Sequence, residues 1–559
     1  MVDLGIITTV VISVAVVLLV IYFFYAHGVF KLPPFSCGLM LINAIIPFIM
    51  CIGILPYDIS RCLFGSATTE NFALRMTLEV FYWVSFVLTW AVGPIAVSYL
   101  RYSYSISLKY RIWFTIRENL IFYGSVLGVV VIGVAILLGT HQMTIENLFP
   151  LAISLANGYG LLVLCLCWGH GLVALPKTIW QMADPVNAYL FYLNQIANET
   201  ALCARTIADG DIALTHCTTA RDHLTGEMKE LYDKVGNDRM IRLSQLKGEL
   251  PIPDRCLNGE STDKRLKALE SYDWEKCTNK QLMDFFHVLD NCIEHIEQTT
   301  SFVQDSSKQA FKALKAYEKR STVTIILKRS LAIFVVLINA VCTWSEVALT
   351  FNNKFSLFYI ISHIEMPQIV SILLVSTPIL TYLICLGAWS LTHLRLGSFF
   401  RFIKGATNAN TLNYFAIILC RLGPTAGFHY MQQIGAYDSE FQKVMGKMNV
   451  VVFIGTKWNI YAPVLMLVIM VIVAFNIIER IAKCCGKKVF SFDTTSMNYD
   501  DLAIGEEVLC EMEHEAKELI EEEGLRYSVI ANKKSKPTPT RFKATNDTEE
   551  QLAQALNDL

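Results

Sequence analysis

The feature that most limits how this chain can fold is a run of apolar residues about 20 long that recurs along its length. Hydrocarbon offers no water to backbone amides and carbonyls, so a segment crossing it must close its hydrogen bonds within itself as a helix. Nine runs meet that requirement, at 4–25, 35–56, 76–99, 118–139, 150–175, 330–350, 367–391, 410–432 and 459–480. The eighth is the least hydrophobic. The first has Asp3 instead of a basic leader and is too long for the apolar core of a signal peptide, so it reads as a retained anchor. Composition agrees: 53% of the 559 residues are hydrophobic, 17% are charged, and the mean hydropathy is +0.42. These values exclude a secreted or simple cytosolic protein. The 47 Lys and Arg against 49 Asp and Glu favour no nucleic-acid partner, and the sixteen cysteines show no pairing frame.

Orientation follows from where basic residues gather beside the spans. Arg101, Lys109, Arg111 and Arg117 fall between spans three and four, Arg395, Arg401 and Lys404 between seven and eight, and Arg480, Lys483, Lys487 and Lys488 after span nine. The connection from 139 to 150 has none, and that between spans six and seven has only Lys354. Lys443, Lys447 and Lys457, between spans eight and nine, dissent. The balance places the amino terminus outside or in a lumen and the carboxyl terminus in the cytosol.

The expected organisation is transmembrane helices one to five in 1–175, a cytosolic domain in 176–325, helices six to nine in 326–485 and a partly disordered cytosolic tail in 486–559. The fold class is all-α: a polytopic membrane protein with nine transmembrane helices and a cytosolic helical-hairpin, coiled-coil-like insert. In the insert, Val186, Tyr189, Leu193, Ile196, Thr200, Cys203 and Ile207 keep alternating spacings of three and four. So do Phe286, Leu289, Ile293, Ile296, Thr300, Val303, Ser307, Ala310, Leu314 and Tyr317. That spacing is the seam of a packed helix pair, here antiparallel, with 247–263 as its irregular tip. Thr200, Thr300 and Ser307 weaken the seam and leave room for movement or a partner. The glutamate-rich start of the tail reads as a solvated helix and the basic stretch 533–541 as disordered. Cys484 and Cys485, beside basic residues at the membrane boundary, are candidates for palmitoylation, with plain reduced thiols as the alternative.

No catalytic motif stands out, and no metal or cofactor is expected. Cys165 and Cys167 read as buried packing. Charges at membrane depth carry more information, because they must face protein or water. Arg421 lies mid-way along span eight, before Gly423 and Pro424, and that Gly-Pro pair predicts a helix break lining a polar interior. Glu79, Glu346 and His170 are its candidate neighbours. Arg421 either binds an anionic ligand, locks a gate or pins helices through an ion pair. Asp58, beyond span two, is expected to cap a short helix.

The chain resembles the limb-region (LMBR-type) multi-pass membrane protein family, most closely its domain-containing protein 2 branch. The resemblance is carried by Leu55-Pro56-Tyr57-Asp58-Ile59-Ser60, Tyr82-Trp83, Leu88-Thr89-Trp90, Pro94, Glu118-Asn119 and Tyr123-Gly124. It continues through Asn157-Gly158-Tyr159-Gly160, Gly169-His170-Gly171-Leu172-Val173, Pro176, and Cys420-Arg421-Leu422 with Pro424. It implies nine helices, an outer amino terminus, a large cytosolic loop after span five, and functions ranging from lipocalin uptake and lysosomal cobalamin handling to regulation of receptors coupled to G proteins. It brings no catalytic residues.

The leading expectation is a non-enzymatic receptor or signalling adaptor of the plasma membrane or an endomembrane. Its partners are the lipid bilayer and cytosolic or membrane proteins held through 176–325. A transporter or uptake protein for a lipophilic or small ligand is the alternative, motivated by Arg421 and the expected break at Pro424.

Overall fold

A computed structural model of the chain describes residues 4–32, 34–64, 71–101, 108–140, 148–246, 266, 269, 271–319, 321–394, 402–403, 405, 407–445, 456–484 and 501–514. Among them every regular element is helical. In chain order the principal helices are α1 (Leu4–Ala26), α2 (Pro34–Phe48), α3 (Leu55–Phe64), α4 (Phe72–Val87), α5 (Gly93–Arg101), α6 (Leu108–Gly139) and α7 (Leu148–Gln181). Then come α8 (Pro185–His223), α9 (Gly226–Leu246), α10 (Asn279–Glu318), α11 (Thr322–Phe351), α12 (Thr377–His393), α13 (Ala409–Ile434), α14 (Glu440–Met445), α15 (Thr456–Ala474) and α16 (Ile477–Cys484). A last helix, α17, covers 501–514. The chain divides into two compact units, one comprising Met1–Ile179 with Arg329–Lys487 and the other Trp180–Lys328 with Lys488–Leu559.

Among the described residues, seven helices are long and apolar enough to cross a membrane: Leu4–Ala26, Pro34–Phe64, Phe72–Leu100, Arg111–Ile136, Asn157–Gln181, Thr322–Phe351 and Gln368–His393. The expected eighth and ninth spans fall short by this measure, for different reasons. In the ninth, the apolar part of α15 is only Tyr461–Ala474. In the eighth, α13 has 26 residues but carries Asn413, Arg421, His429 and Gln433. It tolerates them because every residue from Leu419 to Met431 is buried by surrounding helices. A helix sheltered by protein need not be apolar all round.

Three of the crossing helices contain π-helical turns, at Ile49–Ile54, Leu88–Val92 and Ser371–Ser376. Each turn ends two residues before a proline: Pro56, Pro94 and Pro378. A proline ring collides with the carbonyl four residues earlier and offers it no N–H. The carbonyls concerned belong to Ile52, Trp90 and Leu374, all inside the widened turns, so the π geometry is the local relief of that collision. The freed Trp90 carbonyl accepts the Tyr123 hydroxyl of α6.

The break expected at Gly423-Pro424 is absent: α13 is one α-helix from Ala409 to Ile434. Tight packing holds it. A Cβ on Gly423 would lie 2.5 Å from the Pro47 Cβ of α2, so the two backbones approach more closely than any other residue would permit, and neighbouring helices support the turn around Pro424. Asp58 does cap a short helix, though not its own. Its carboxylate accepts the backbone N–H groups of Glu440 and Phe441 at 3.2 and 2.8 Å, at the start of α14. Cys165 and Cys167 are buried, as expected of packing residues.

In the second unit α8 and α10 run antiparallel. The Cys203 sulfur lies 3.9 Å from the Thr300 hydroxyl and Thr206 Oγ1 lies 3.3 Å from Thr299 Oγ1. Leu193, Ile196, Cys203, Ile207, Phe286, Leu289, Ile293, Ile296, Val303 and Ala310 are buried along the pair, whereas the seam's last positions, Leu314 and Tyr317, are exposed. Two further helices complete the unit. α9 places the Tyr232 hydroxyl on the Cys217 carbonyl at 2.8 Å and its ring against Phe286. The tail helix α17 is not solvated all round, which corrects the sequence expectation: Val508, Leu509 and Met512 are buried in one cluster with Leu193, Ile196, Val303 and Ala310. Ser307, one of the weak seam positions, donates its hydroxyl to Met512 Sδ at 3.3 Å. The expected tip at 247–263 lies outside the described residues.

Candidate functional site

Arg421, a large charged side chain in the interior of the first unit, is 1% exposed. It projects from the middle of α13 toward α4 and α7. Its Nη2 donates to Asn157 Oδ1 of α7 at 3.0 Å. Asn157 Nδ2 donates in turn to the Tyr82 hydroxyl of α4 at 3.3 Å, and the guanidinium carbon stands 5.6 Å from the centre of the Phe86 ring. Tyr159 supplies another polar neighbour, and its ring meets Trp90 edge-on with centroids 5.7 Å apart. The close seat of α7 is set by Gly160, where a side chain would collide with the Thr425 hydroxyl. The site therefore comprises one cation, an amide, two phenols and two further aromatic rings, drawn from three helices. Arg421 makes no ion pair among the described residues, and its Nε and Nη1 have no hydrogen-bond acceptor.

The expected neighbours of Arg421 lie elsewhere. Glu346 of α11 binds His429 Nε2 at 2.6 Å and also accepts from Gln433 Nε2. His429 and Gln433 belong to α13, two turns and more beyond Arg421. His170 pairs through Nδ1 with Ser390 Oγ of α12 at 2.9 Å and stacks on Trp389. Glu79 sits half-buried on α4, seven residues or about two turns before Phe86, and does not reach Arg421. Glu346 is offset from Arg421 along α13 and Glu79 from Phe86 along α4, offsets that spacing along a sequence does not reveal. Pro424 is buried beside Arg421 within the unbroken α13. Of the palmitoylation candidates, Cys484 is the last residue of α16, and Cys485 lies outside the described residues.

Sequence reasoning missed His429 and Gln433, although they fall 8 and 12 residues after Arg421 in the least apolar span, a helical interval that places polar groups along one helix. Asn157 and Tyr82 entered only as parts of the family resemblance. Among the described residues no group of three His, Cys, Asp or Glu side chains is placed to hold a metal ion.

Tyr82, Trp90, Asn157, Tyr159, Gly160 and Arg421, scattered through three separate sequence elements, thus form one neighbourhood. The family model described as LMBR1-like membrane protein matches residues 5–478. The chain belongs to that family. Among curated relatives, LMBR1 domain-containing protein 2 homolog A of Dictyostelium discoideum is 26% identical over 76% of this chain and 61% of its own length. The homolog B of the same organism is 24% identical over 74% of this chain and 57% of its own length. The human protein named G-protein coupled receptor-associated protein LMBRD2 is 23% identical over 80% of this chain and 68% of its own. The chain thus spans about three fifths of the length of the first two relatives. No solved structure matches. Family membership and the apolar helices together make this LMBR1-like chain an integral, multi-pass membrane protein.

Proposed function

We propose that this LMBR1-like protein is a non-enzymatic adaptor that associates with receptors coupled to G proteins and regulates their signalling, working at the plasma membrane. In this reading α13 and α15 complete nine membrane passages, the amino terminus is outside, and 176–325 with the tail is cytosolic, as the distribution of Lys and Arg indicates. The carrying observation is the helical second unit, in which α8, α9, α10 and α17 bury a core of their own. Spanning a membrane does not require such a unit, and a folded unit with its own core is suited to holding a partner. The names of the human, chicken and nematode relatives, which associate those proteins with G-protein coupled receptors, support the same reading. The transporter alternative rested on Arg421 and on a break at Gly423-Pro424, and the continuity of α13 removes the second of these supports.

The helix α17 turns Glu506 and Glu511 outward while its apolar side is buried, which offers a negative face to the basic cytosolic segments that flank receptor spans. Proximity labelling from full-length protein in cells tests the proposal. Labelling of receptors coupled to G proteins is expected from the wild type, with a several-fold loss in the double variant Glu506→Lys, Glu511→Lys. Absence of receptors among the labelled proteins overturns the adaptor reading; equal labelling by the variant removes α17 from it.

A further inference from the structure

Among the described residues of the first unit, Arg421 is a fully buried charge with no acid beside it. A buried guanidinium without a carboxylate loses its hydration and recovers only part of it from an amide and ring faces. Asn157 takes one Nη2 proton, Phe86 lends the face of its ring, and the Nε and Nη1 protons remain without acceptors. Close by, the buried Trp90 indole N–H also lacks an acceptor, on a ring packed against Tyr159. Three orphan donors and no acid leave this neighbourhood one negative charge short.

We infer that Arg421, Asn157 and the surrounding aromatic wall form a binding site for the oxyanion head of an amphiphile, a carboxylate or phosphate ester whose apolar tail stays in the membrane. The anion accepts from the Nε–H and Nη1–H of Arg421, the groups a guanidinium presents to oxyanions, and its charge replaces the missing counter-ion. Depth and access both favour an amphiphile over a small aqueous ion. Arg421 is the thirteenth of the 26 residues of α13, far from either end, while Tyr159 of the wall, and Trp83 packed edge-on against Phe86, are 42% and 36% exposed. A chain-bearing anion can therefore enter sideways between α4 and α7. This site is independent of the adaptor proposal, which concerns the second unit.

The experiment measures the unfolding midpoint of the full-length protein in non-ionic detergent, titrated with oleate, dioleoyl-phosphatidylglycerol, inorganic phosphate, and oleyl alcohol as the uncharged control. Wild type is expected to rise with oleate or phosphatidylglycerol and to ignore oleyl alcohol. A response to oleate alone assigns the head as a carboxylate, and one to phosphatidylglycerol assigns it as a lipid phosphate. A full response to inorganic phosphate alone overturns the amphiphile. Two variants separate binding from folding. Arg421→Gln removes the cation, and Asn157→Asp places a carboxylate where the amide oxygen sits, supplying the counter-ion internally while keeping the hydrogen bond. Both are expected to bind the anion about tenfold or more weakly, and Asn157→Asp to unfold no earlier than wild type without ligand. The inference fails if no anion shifts the wild-type midpoint, or if folded Asn157→Asp responds as wild type does.

Discussion

Each unit buries an arginine over a phenylalanine ring, and the two are treated differently. Arg239 of α9 is 8% exposed and lies 5.1 Å from the Phe286 ring centre, much as Arg421 lies over Phe86. Arg239, however, holds Asp290 of α10 with both Nε and Nη2, at 2.6 and 3.2 Å, and gives Nη1 to the Val235 carbonyl at 2.7 Å. Every nitrogen is used. Arg421 meets only neutral partners, the Asn157 amide and the Tyr82 hydroxyl, and no acid. An arginine whose task is to join two helices is matched by an acid across the interface. One left short of acceptors stores an unbalanced charge, which calls for another task.

The comparison breaks if removing either charge has the same effect. Arg239→Met leaves Asp290 buried without its partner, and the loss expected is about 3–5 kcal/mol, read as faster hydrogen exchange in α9 and α10 of the full-length protein. Arg421→Met deletes a charge that has no acid to abandon, and the membrane unit is expected to lose under about 1 kcal/mol in the absence of anion. Acidity sharpens the contrast. Burial already raises the Asp290 pKa above the ordinary carboxylate value, with Arg239 pulling it back. Without Arg239 the folded-state pKa climbs further, so the proton is held more tightly in the folded than in the unfolded chain. Stability from that proton is complete in acid and lost as pH rises through the raised pKa. The deficit of Arg239→Met is therefore smaller in mild acid than at neutrality, while that of Arg421→Met has no such slope from this carboxylate.

What could be read beforehand follows the same division between local and distant. The α8 and α10 seam was legible because a buried stripe repeats within each helix, and Leu193, Ile196, Phe286 and Ile296 fall inside as their spacing requires. Arg421 stood out because a charge in an apolar run is anomalous wherever its partner lies. The partner itself was out of reach: Asn157 is 264 residues away, and only the packing of α7 on α13 joins them. The tail failed for another reason. Its glutamates dominated the composition and hid Leu502, Gly505, Val508, Leu509 and Met512, which recur at helical intervals and make the buried stripe. At Pro424 a general rule about proline yielded to packing, whereas Pro56, Pro94 and Pro378 followed it.

Two apolar contacts rank next. Leu509→Ala empties part of the cluster that docks α17 and is expected to remove about 2–3 kcal/mol, seen as loss of exchange protection in 501–514 before any change in α9. Gly423→Ala pushes a methyl group to within 2.5 Å of Pro47, an overpacking expected to lower the stability of the membrane unit by about 1–2 kcal/mol and to leave the second unit untouched. If Gly423→Ala proves neutral, the close approach of α2 and α13 does not sustain the unbroken helix at Pro424, and another cause must be found.

The smallest effect tests whether burial or mere pairing makes Arg239 matter. Arg242 lies three residues along α9 and bonds Glu297 of α10 through two nitrogens, so its chemistry is that of Arg239 and Asp290. Its surroundings are not: the Arg242 and Glu297 side chains are 56% and 36% exposed, against 9% and 17% for the inner pair. Water already solvates both ions of the outer pair, and salt screens what attraction remains. Arg242→Ala is therefore expected to change the exchange protection of α9 by less than about 1 kcal/mol, and by less still in high salt. A loss approaching that of Arg239→Met would mean that pairing alone sets the value of a charge across this interface. The unbalanced state of Arg421 would then carry no special weight.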